Sequence, residues 1–322
     1  LIIGEVVRTR RETGRIDSAV GVMAEALVRR PRRGENAEQA ADRPRHLETA
    51  ALGEEGEREM RNQQDRESDR SAAVYLATFG SRGYTGGRNR LCESARRSGW
   101  FQDCFGFGPL NLGAAFLARN AYWIRTHGRG FGYWIWKPQA IRRAMARLAA
   151  GDILVWMDAG CYLNPAGRDR FRHYCRLVTE HPSGILAFAL PFPERFWTKA
   201  DVFDALKAPP ETADSRQLMA TCFLLRKDET SETLVQRWSQ VMRNRSLIDD
   251  SPSVRPNASD FRENRHDQSV FSLLCKEMGA LIMDDETWWD PDWEVRGRNY
   301  PFWGIRDSKG TYMPAGGQLG AG

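Results

Sequence analysis

Five apolar residues, Ile153 to Met157, run without a polar break between Gly151-Asp152 and Asp158-Ala159-Gly160. Bounded by turn formers on both sides, such a run reads as a strand buried on both faces of a parallel sheet, which commits the chain to an α/β architecture. Asp158 stands at the strand's carboxyl end, where ligands gather in open α/β sheets, and Ala159 and Gly160 leave the backbone approachable. A carboxylate there suits a metal or a phosphate-bearing ligand. It is equally readable as the opener of a turn.

The rest of the chain from Ser71 reads as alternating strands and helices. A short strand over residues 73–78 enters the turn Phe79-Gly80-Ser81-Arg82-Gly83. Leu91, Cys92 and Ala95 then recur at helical spacing and stop at Gly99, a C-terminal cap. The turn has neither GxGxxG nor GxxxxGK[ST], so no dinucleotide fingerprint or Walker loop is present; Thr78, Phe79 and Arg82 either meet a nucleotide or belong to an ordinary surface loop. Residues 103–107 read as a second strand, and Leu112, Phe116 and Trp123 as one helix face.

Residues 130–138 have the most unusual local composition, with Phe131, Tyr133, Trp134 and Trp136 flanked by glycines and closed by Pro138. Pro138 suits the first turn of the next helix and pushes Lys137 towards an extended conformation. Trp136 and its neighbours make a wall that can stack a base or sugar, with Lys137 neutralising phosphate; the plainer reading is a core plug with a solvated lysine. After the Asp158 strand come a helix marked by Phe171, Tyr174, Cys175 and Val178, and a buried strand over residues 184–190. That strand runs into a loop over residues 191–199 in which Glu194 and Lys199 sit among aromatics, a composition shared by sugar-binding clefts. Residues 217–225 read as a strand, and Leu234, Val235, Trp238, Val241 and Met242 as a helix face. Val270, Phe271, Leu274 and Met278 define a further helix with Asp267 and Gln268 in its first turn, where acidic residues are favoured by the exposed N–H groups. The run Arg265-His266-Asp267-Gln268 is nevertheless dense for a mere cap. The Trp-rich segment from Asp284 to Trp303 is expected to fold over the cleft.

Residues 1–70 hold no Phe, Trp or Tyr and carry 14 Arg against 15 acids. A stretch so charged cannot bury enough apolar surface to offset its ordering entropy, so it reads as a disordered head, with residues 71–307 as a single folded domain and 308–322 as a flexible tail. The first residue is Leu1, which fits a fragment or an extended reading frame. No apolar run of signal-peptide or membrane-spanning length occurs, so a cytoplasmic protein is the default. The six cysteines form no CxxC pairs and read as buried thiols rather than a zinc site or disulfide framework. A net charge of +5 suits an anionic small molecule or an acidic membrane surface, including peripheral contact with its inner face, and is too diffuse to argue for nucleic acid.

Three stretches in order, Gly132-Tyr133-Trp134-Ile135-Trp136-Lys137-Pro138, Asp158-Ala159-Gly160-Cys161 and Arg265-His266-Asp267-Gln268-Ser269, resemble a family of bacterial glycosyltransferase-like proteins with the GT-A (nucleotide-diphospho-sugar transferase) fold. The resemblance spans about residues 73–306 and implies a GT-A-like, Rossmann-like mixed, mostly parallel sheet flanked by helices. It also implies transfer of a sugar from a nucleotide-sugar donor to a glycan or other hydroxyl acceptor, as in bacterial surface polysaccharide or glycoconjugate synthesis. Enzymes of that fold use Asp-x-Asp to hold Mn²⁺ or Mg²⁺ on the donor diphosphate; Asp158 matches the first carboxylate, and Gly160 stands where the second would be. The resemblance makes Asp158 a metal candidate and sets Asp267 and Gln268 where such enzymes face sugar and acceptor. The chemistry of the leaving group and acceptor adds His266 as a second metal candidate, Thr78, Phe79, Arg82, Trp136, Lys137, Asp158, Ala159, Gly160 and Arg265 as donor-binding candidates, and Glu194 beside Asp267 and Gln268 as catalytic candidates. A non-catalytic nucleotide-sugar or carbohydrate binder, and a metal-dependent hydrolase using Asp158, His266 and Asp267, are the other two readings. The acceptor, the anomeric outcome and the oligomeric state are open.

Overall fold

In the computed structural model, which describes residues 72–305 and residue 307, β1 (Val74–Phe79) pairs in parallel with both β2 (Asp103–Phe107) and β3 (Ile153–Met157). The other side of β3 pairs antiparallel with β6 (Arg216–Arg226), which pairs antiparallel with β5 (Ile185–Pro193); β7 (Leu281–Asp284) adds in parallel to β5. The six-stranded order is therefore β2-β1-β3-β6-β5-β7 with β6 alone reversed, a mixed, mostly parallel sheet. Two-residue strands β4 (Tyr162–Leu163) and β8 (Phe302–Trp303) form a separate ladder. Because β6 is reversed, the carboxyl ends of β1, β2, β3, β5 and β7 share one sheet edge, where ligands gather in such sheets.

The alternation of side chains along β3 divides two cores, as the unbroken apolar run requires. Leu154 and Trp156 face one side with Ile141, Ala144 and Met145 of α3 (Lys137–Met145), Leu234 and Trp238 of α5 (Glu229–Val241), and Phe271 and Leu274 of α6 (Asp267–Glu277). Ile153, Val155 and Met157 face the other, against Leu91 and Ala95 of α1 (Thr85–Ser98) and Phe171, Tyr174 and Val178 of α4 (Arg168–Glu180). Phe271 packs 4.5 Å from Phe223 and 4.9 Å from Trp238; each fully buried large side chain contributes about 2–3 kcal/mol of transfer free energy. Gly99 ends α1 in the left-handed region at φ 65°, as its position predicts.

Several expectations need correction. Leu112 lies in a short 3₁₀ turn ahead of α2 (Ala114–Thr126), not on it. Pro191, Phe192 and Pro193 continue β5, whose pairing with β6 is irregular there, the place where a sheet tolerates proline. Cys92 and Cys104 form a disulfide, because α1 lies back over β2 and brings their Cα atoms to 5.4 Å; Cys161, Cys222 and Cys275 are buried thiols and Cys175 is half-buried. No helix among the described residues is long and apolar enough to cross a membrane. The expectations for residues 1–70 and 308–322 fall outside the described residues.

Candidate active site

A cleft of about 450 Å³ opens at the shared strand edge, lined by the ends of β1 and β3, the middle of β6, the 128–137 turn and the first turn of α6. Its wall is aromatic: Phe79 stacks on Trp136 at 3.8 Å, and the Phe131 ring lies 5.9 Å from Phe79. The turn that supplies it holds Phe131, Tyr133 and Trp134 at φ 55–57°, a left-handed conformation costing about 1 kcal/mol or more for each such residue. Tertiary bonds hold it there: Tyr133 donates to Asp250 at 2.8 Å, Trp123 donates to the Gly132 carbonyl at 3.1 Å and Trp136 to the Gly130 carbonyl at 2.8 Å. Opposite, α1 approaches so closely that a Cβ on Gly87 would stand 2.4 Å from the Ala159 carbonyl oxygen.

The floor is an ion-paired cluster. Lys137 Nζ lies 3.1 Å from Asp158 Oδ1, 2.9 Å from Asp267 Oδ2 and 3.0 Å from the Ala220 carbonyl oxygen. Trp156 Nε1 also donates to Asp158 Oδ1, at 3.0 Å. Lys137 is 2 % exposed and helical, so it is neither the extended, phosphate-facing lysine expected before Pro138 nor a solvated one. Its ion pairs with Asp158 and Asp267 and its hydrogen bond to the Ala220 carbonyl hold it there against the bias proline imposes on its predecessor. Burial works against the ammonium, but Asp158 and Asp267 hold its pKa above the ordinary lysine value. Burial pushes the Asp267 carboxyl up to about 6, Lys137 pulling it down and Asp158 adding to the rise. Two carboxylates against one ammonium leave the floor with a formal charge of −1 when both are ionised.

The other expected residues divide. Phe79, Trp136, Lys137, Asp158, Ala159, Gly160, Arg265, His266, Asp267 and Gln268 all border the cleft, although more than a hundred positions separate Asp158 from Arg265. Gln268 is fixed at both ends, its Oε1 accepting the Ala220 amide at 3.2 Å and its Nε2 donating to Gln217 at 2.7 Å. Arg265 stacks on Trp197 at 4.1 Å and pairs with Glu263 at 3.2 Å. Thr78 is buried within β1 and Arg82 is exposed, and neither lines the cleft. Glu194 is wholly buried outside it, bound by Ser272, Lys276, Thr198 and Gln217, so it does not reach an acceptor. No residue of the segment from Asp284 to Trp303 lines the cleft; the segment packs beside β4 through Asn164, which donates to the carbonyls of Arg298 and Tyr300. Sequence reasoning missed Tyr84, Ala220, Thr221 and Arg129, which also border the cleft. No local signal marks the two β6 residues, since they arrive through the reversed strand.

Of the two floor carboxylates only Asp158 is open enough to be a candidate ligand for a divalent ion. Asp158 is the exposed carboxylate of the floor, its side chain 30 % accessible, and Mg²⁺ commonly binds through one or two carboxylates plus substrate phosphates. Among the described residues no three His, Cys, Asp or Glu side chains gather as a metal cage. His266 does not complete one: its Nδ1 meets the Ile248 carbonyl oxygen at 2.7 Å, and its Nε2 is buried 3.8 Å from Asp250 Oδ1. Burial lowers its pKa to about 4, keeping the ring neutral.

No protein-family model and no curated protein matches the chain. Solved structures similar to it include a glycosyltransferase involved in glycosylation of the major capsid of PBCV-1, at 13 % identity and TM-score 0.40 over 72 % of this chain and 91 % of that one. Mouse xyloside xylosyltransferase 1, apo form, is similar at 11 % identity and TM-score 0.39 over 75 % and 100 %. The apo-form glycosyltransferase GlyE of Streptococcus pneumoniae TIGR4 is similar at 12 % identity and TM-score 0.32 over 67 % and 46 %.

Proposed function

We propose that this chain transfers a glycosyl group from a nucleotide-diphospho-sugar to an acceptor hydroxyl. The observation that carries the reading is the pair of carboxylates, Asp158 partly exposed and Asp267 buried, held on one lysine beside a stacked aromatic wall at the carboxyl ends of β1 and β3. The Phe79–Trp136 wall suits a base or sugar face, and Arg265 supplies positive charge at the rim. In the reaction the bond from the anomeric carbon to the diphosphate oxygen breaks, its electron pair leaving with the phosphate, and a bond to the acceptor oxygen forms. The acceptor proton goes to Asp267, whose pKa near 6 leaves it ionised yet basic at neutral pH. Asp158 would hold the divalent ion, which when bound supplies charge to the leaving diphosphate. Lys137 keeps the two carboxylates in place without touching the donor.

The test is calorimetric titration of UDP- and GDP-sugars with Mn²⁺ present, followed by assay of nucleotide release with and without acceptor glycans. Binding with acceptor-dependent release supports transfer. Binding without release under any acceptor leaves a non-catalytic binder, and cleavage of phosphate or glycosidic substrates with no nucleotide sugar present favours a metal-dependent hydrolase.

A further inference from the structure

We infer that the sheet edge beside the cleft carries an acceptor-sugar subsite, an aromatic shelf of Trp197, Phe192 and Trp289 that takes the apolar face of a pyranose; this rests on the glycosyl-transfer reading above. The topology puts it there. β5 and β7 end at the same edge as β1 and β3, so Phe192 near the end of β5 and the Trp288-Trp289 pair just after β7 lie along from the cleft. The rings form a continuous path: Arg265, which lines the cleft, caps Trp197 at 4.1 Å; Trp197 meets Phe192 edge-on at 6.0 Å; Phe192 meets Trp289 edge-on at 5.2 Å.

Trp288 and Trp289 are 37 % and 46 % exposed; the Trp288 ring packs on Trp293 at 5.5 Å, which leaves Trp289 as the open indole beside Phe192. They are not loosely held. The buried Asp285 carboxylate accepts the backbone amides of Thr287, Trp288 and Trp289, which fixes the turn before any ligand arrives. The surroundings suit a sugar. Arg262 lies over both Phe196 and Trp197, at 4.7 and 5.5 Å, and Arg216 pairs with Asp284 at the end of β7. Aromatic faces edged with charges match a ligand with a C–H face and a hydroxyl rim.

The test is saturation-transfer NMR on the full chain, with the methyl glycosides of glucose, galactose, mannose, xylose and N-acetylglucosamine as probes and UDP and GDP titrated in parallel. Ring C–H protons of at least one glycoside should receive saturation, and Trp289→Ala should weaken that binding by about tenfold, the scale of one lost ring contact, with nucleotide affinity unchanged. Trp289→Leu keeps apolar bulk while removing the flat face, so a matching loss with an unchanged melting temperature separates recognition from folding. The shelf is overturned if no glycoside binds, if both variants bind as wild type does, or if the Trp288→Ala, Trp289→Ala double variant abolishes a concentration-dependent dimer, which would give the face to a second copy. Glycoside binding with no nucleotide binding sinks the donor reading and leaves the shelf; the converse sinks the shelf alone.

Discussion

Glu194, wholly buried, and Gln268, at the cleft, are joined by the single side chain of Gln217, which donates to Glu194 Oε2 at 3.2 Å and accepts from Gln268 Nε2 at 2.7 Å. Glu194 therefore acts on the site from beneath, by fixing the amide that faces it. Its Oε1 also takes the Lys276 ammonium at 2.7 Å, whose pKa burial pulls below the ordinary lysine value. Glu194→Gln should cost about 3 kcal/mol, because removing one partner leaves a mostly buried ammonium unpaired. Adding Lys276→Met should recover a large part of that loss in urea unfolding. A single variant as stable as wild type would show that the network carries little.

Lys137→Met poses the complementary case. Without the ammonium, Asp158 and Asp267 face each other uncompensated, and the loss should be about 3–5 kcal/mol at pH 7. The pH sign follows from Asp267: with a folded pKa raised above its unfolded value, its protonated form is the one the fold favours, so lowering the pH relieves the variant. Urea midpoints for Lys137→Met should rise from pH 7 to pH 5 relative to wild type, and Asp267→Asn should rescue part of the defect at pH 7. No relief from either would mean that Lys137 serves mainly as packing.

How much of this was legible before the fold is clearest at β3 and α6. The apolar run of Ile153 to Met157, the Gly99 cap and Asp267 in a first turn are written in local period and punctuation, and all three stand in the structure. What escaped depends on non-local pairing. β6 runs against its neighbours, which nothing within residues 216–226 specifies, and that reversal puts the Ala220 carbonyl on Lys137 and Thr221 at the cleft. The Cys92–Cys104 bridge and the burial of Glu194 have the same origin: each needs two elements brought together by the sheet. Composition marked the 191–199 stretch as sugar-like, yet its carboxylate is wholly buried and its rings Phe192, Phe196 and Trp197 are half-buried.

His266 gives a stability prediction with the opposite pH sense. Its folded pKa of about 4 lies below the ordinary value of 6.5, so the neutral ring contributes stability that is whole above about pH 6.5 and is lost as the pH falls through 4. At pH 5 the expected loss is about 2 kcal/mol relative to pH 7. His266→Gln, which keeps a donor for the Ile248 carbonyl and cannot take up the proton, should flatten that part of the profile. Parallel denaturant curves for the two proteins between pH 7 and pH 5, offset by a constant, would place the acid sensitivity elsewhere.

Asp158 is the residue on which the donor reading depends most. Asparagine can still accept from Trp156 Nε1, and Lys137 keeps Asp267 at 2.9 Å and the Ala220 carbonyl at 3.0 Å, so Asp158→Asn should change stability by only about 1 kcal/mol. Nucleotide-sugar binding in Mn²⁺ should nevertheless fall by about tenfold or more, since the single carboxylate offered to the ion is gone. The formal negative charge of the floor gives the reason to expect a cation: a diphosphate approaching Asp158 and Asp267 is repelled unless positive charge comes with it, and the Lys137 ammonium is already ion-paired with both carboxylates. Titrating the wild type in excess chelator separates the possibilities. Loss of affinity matching that of Asp158→Asn assigns the ion to this carboxylate. Unchanged affinity in chelator, with Asp158→Asn still weakened, would move the charge compensation to Arg265 at the rim and make Asp158 a direct contact to the sugar.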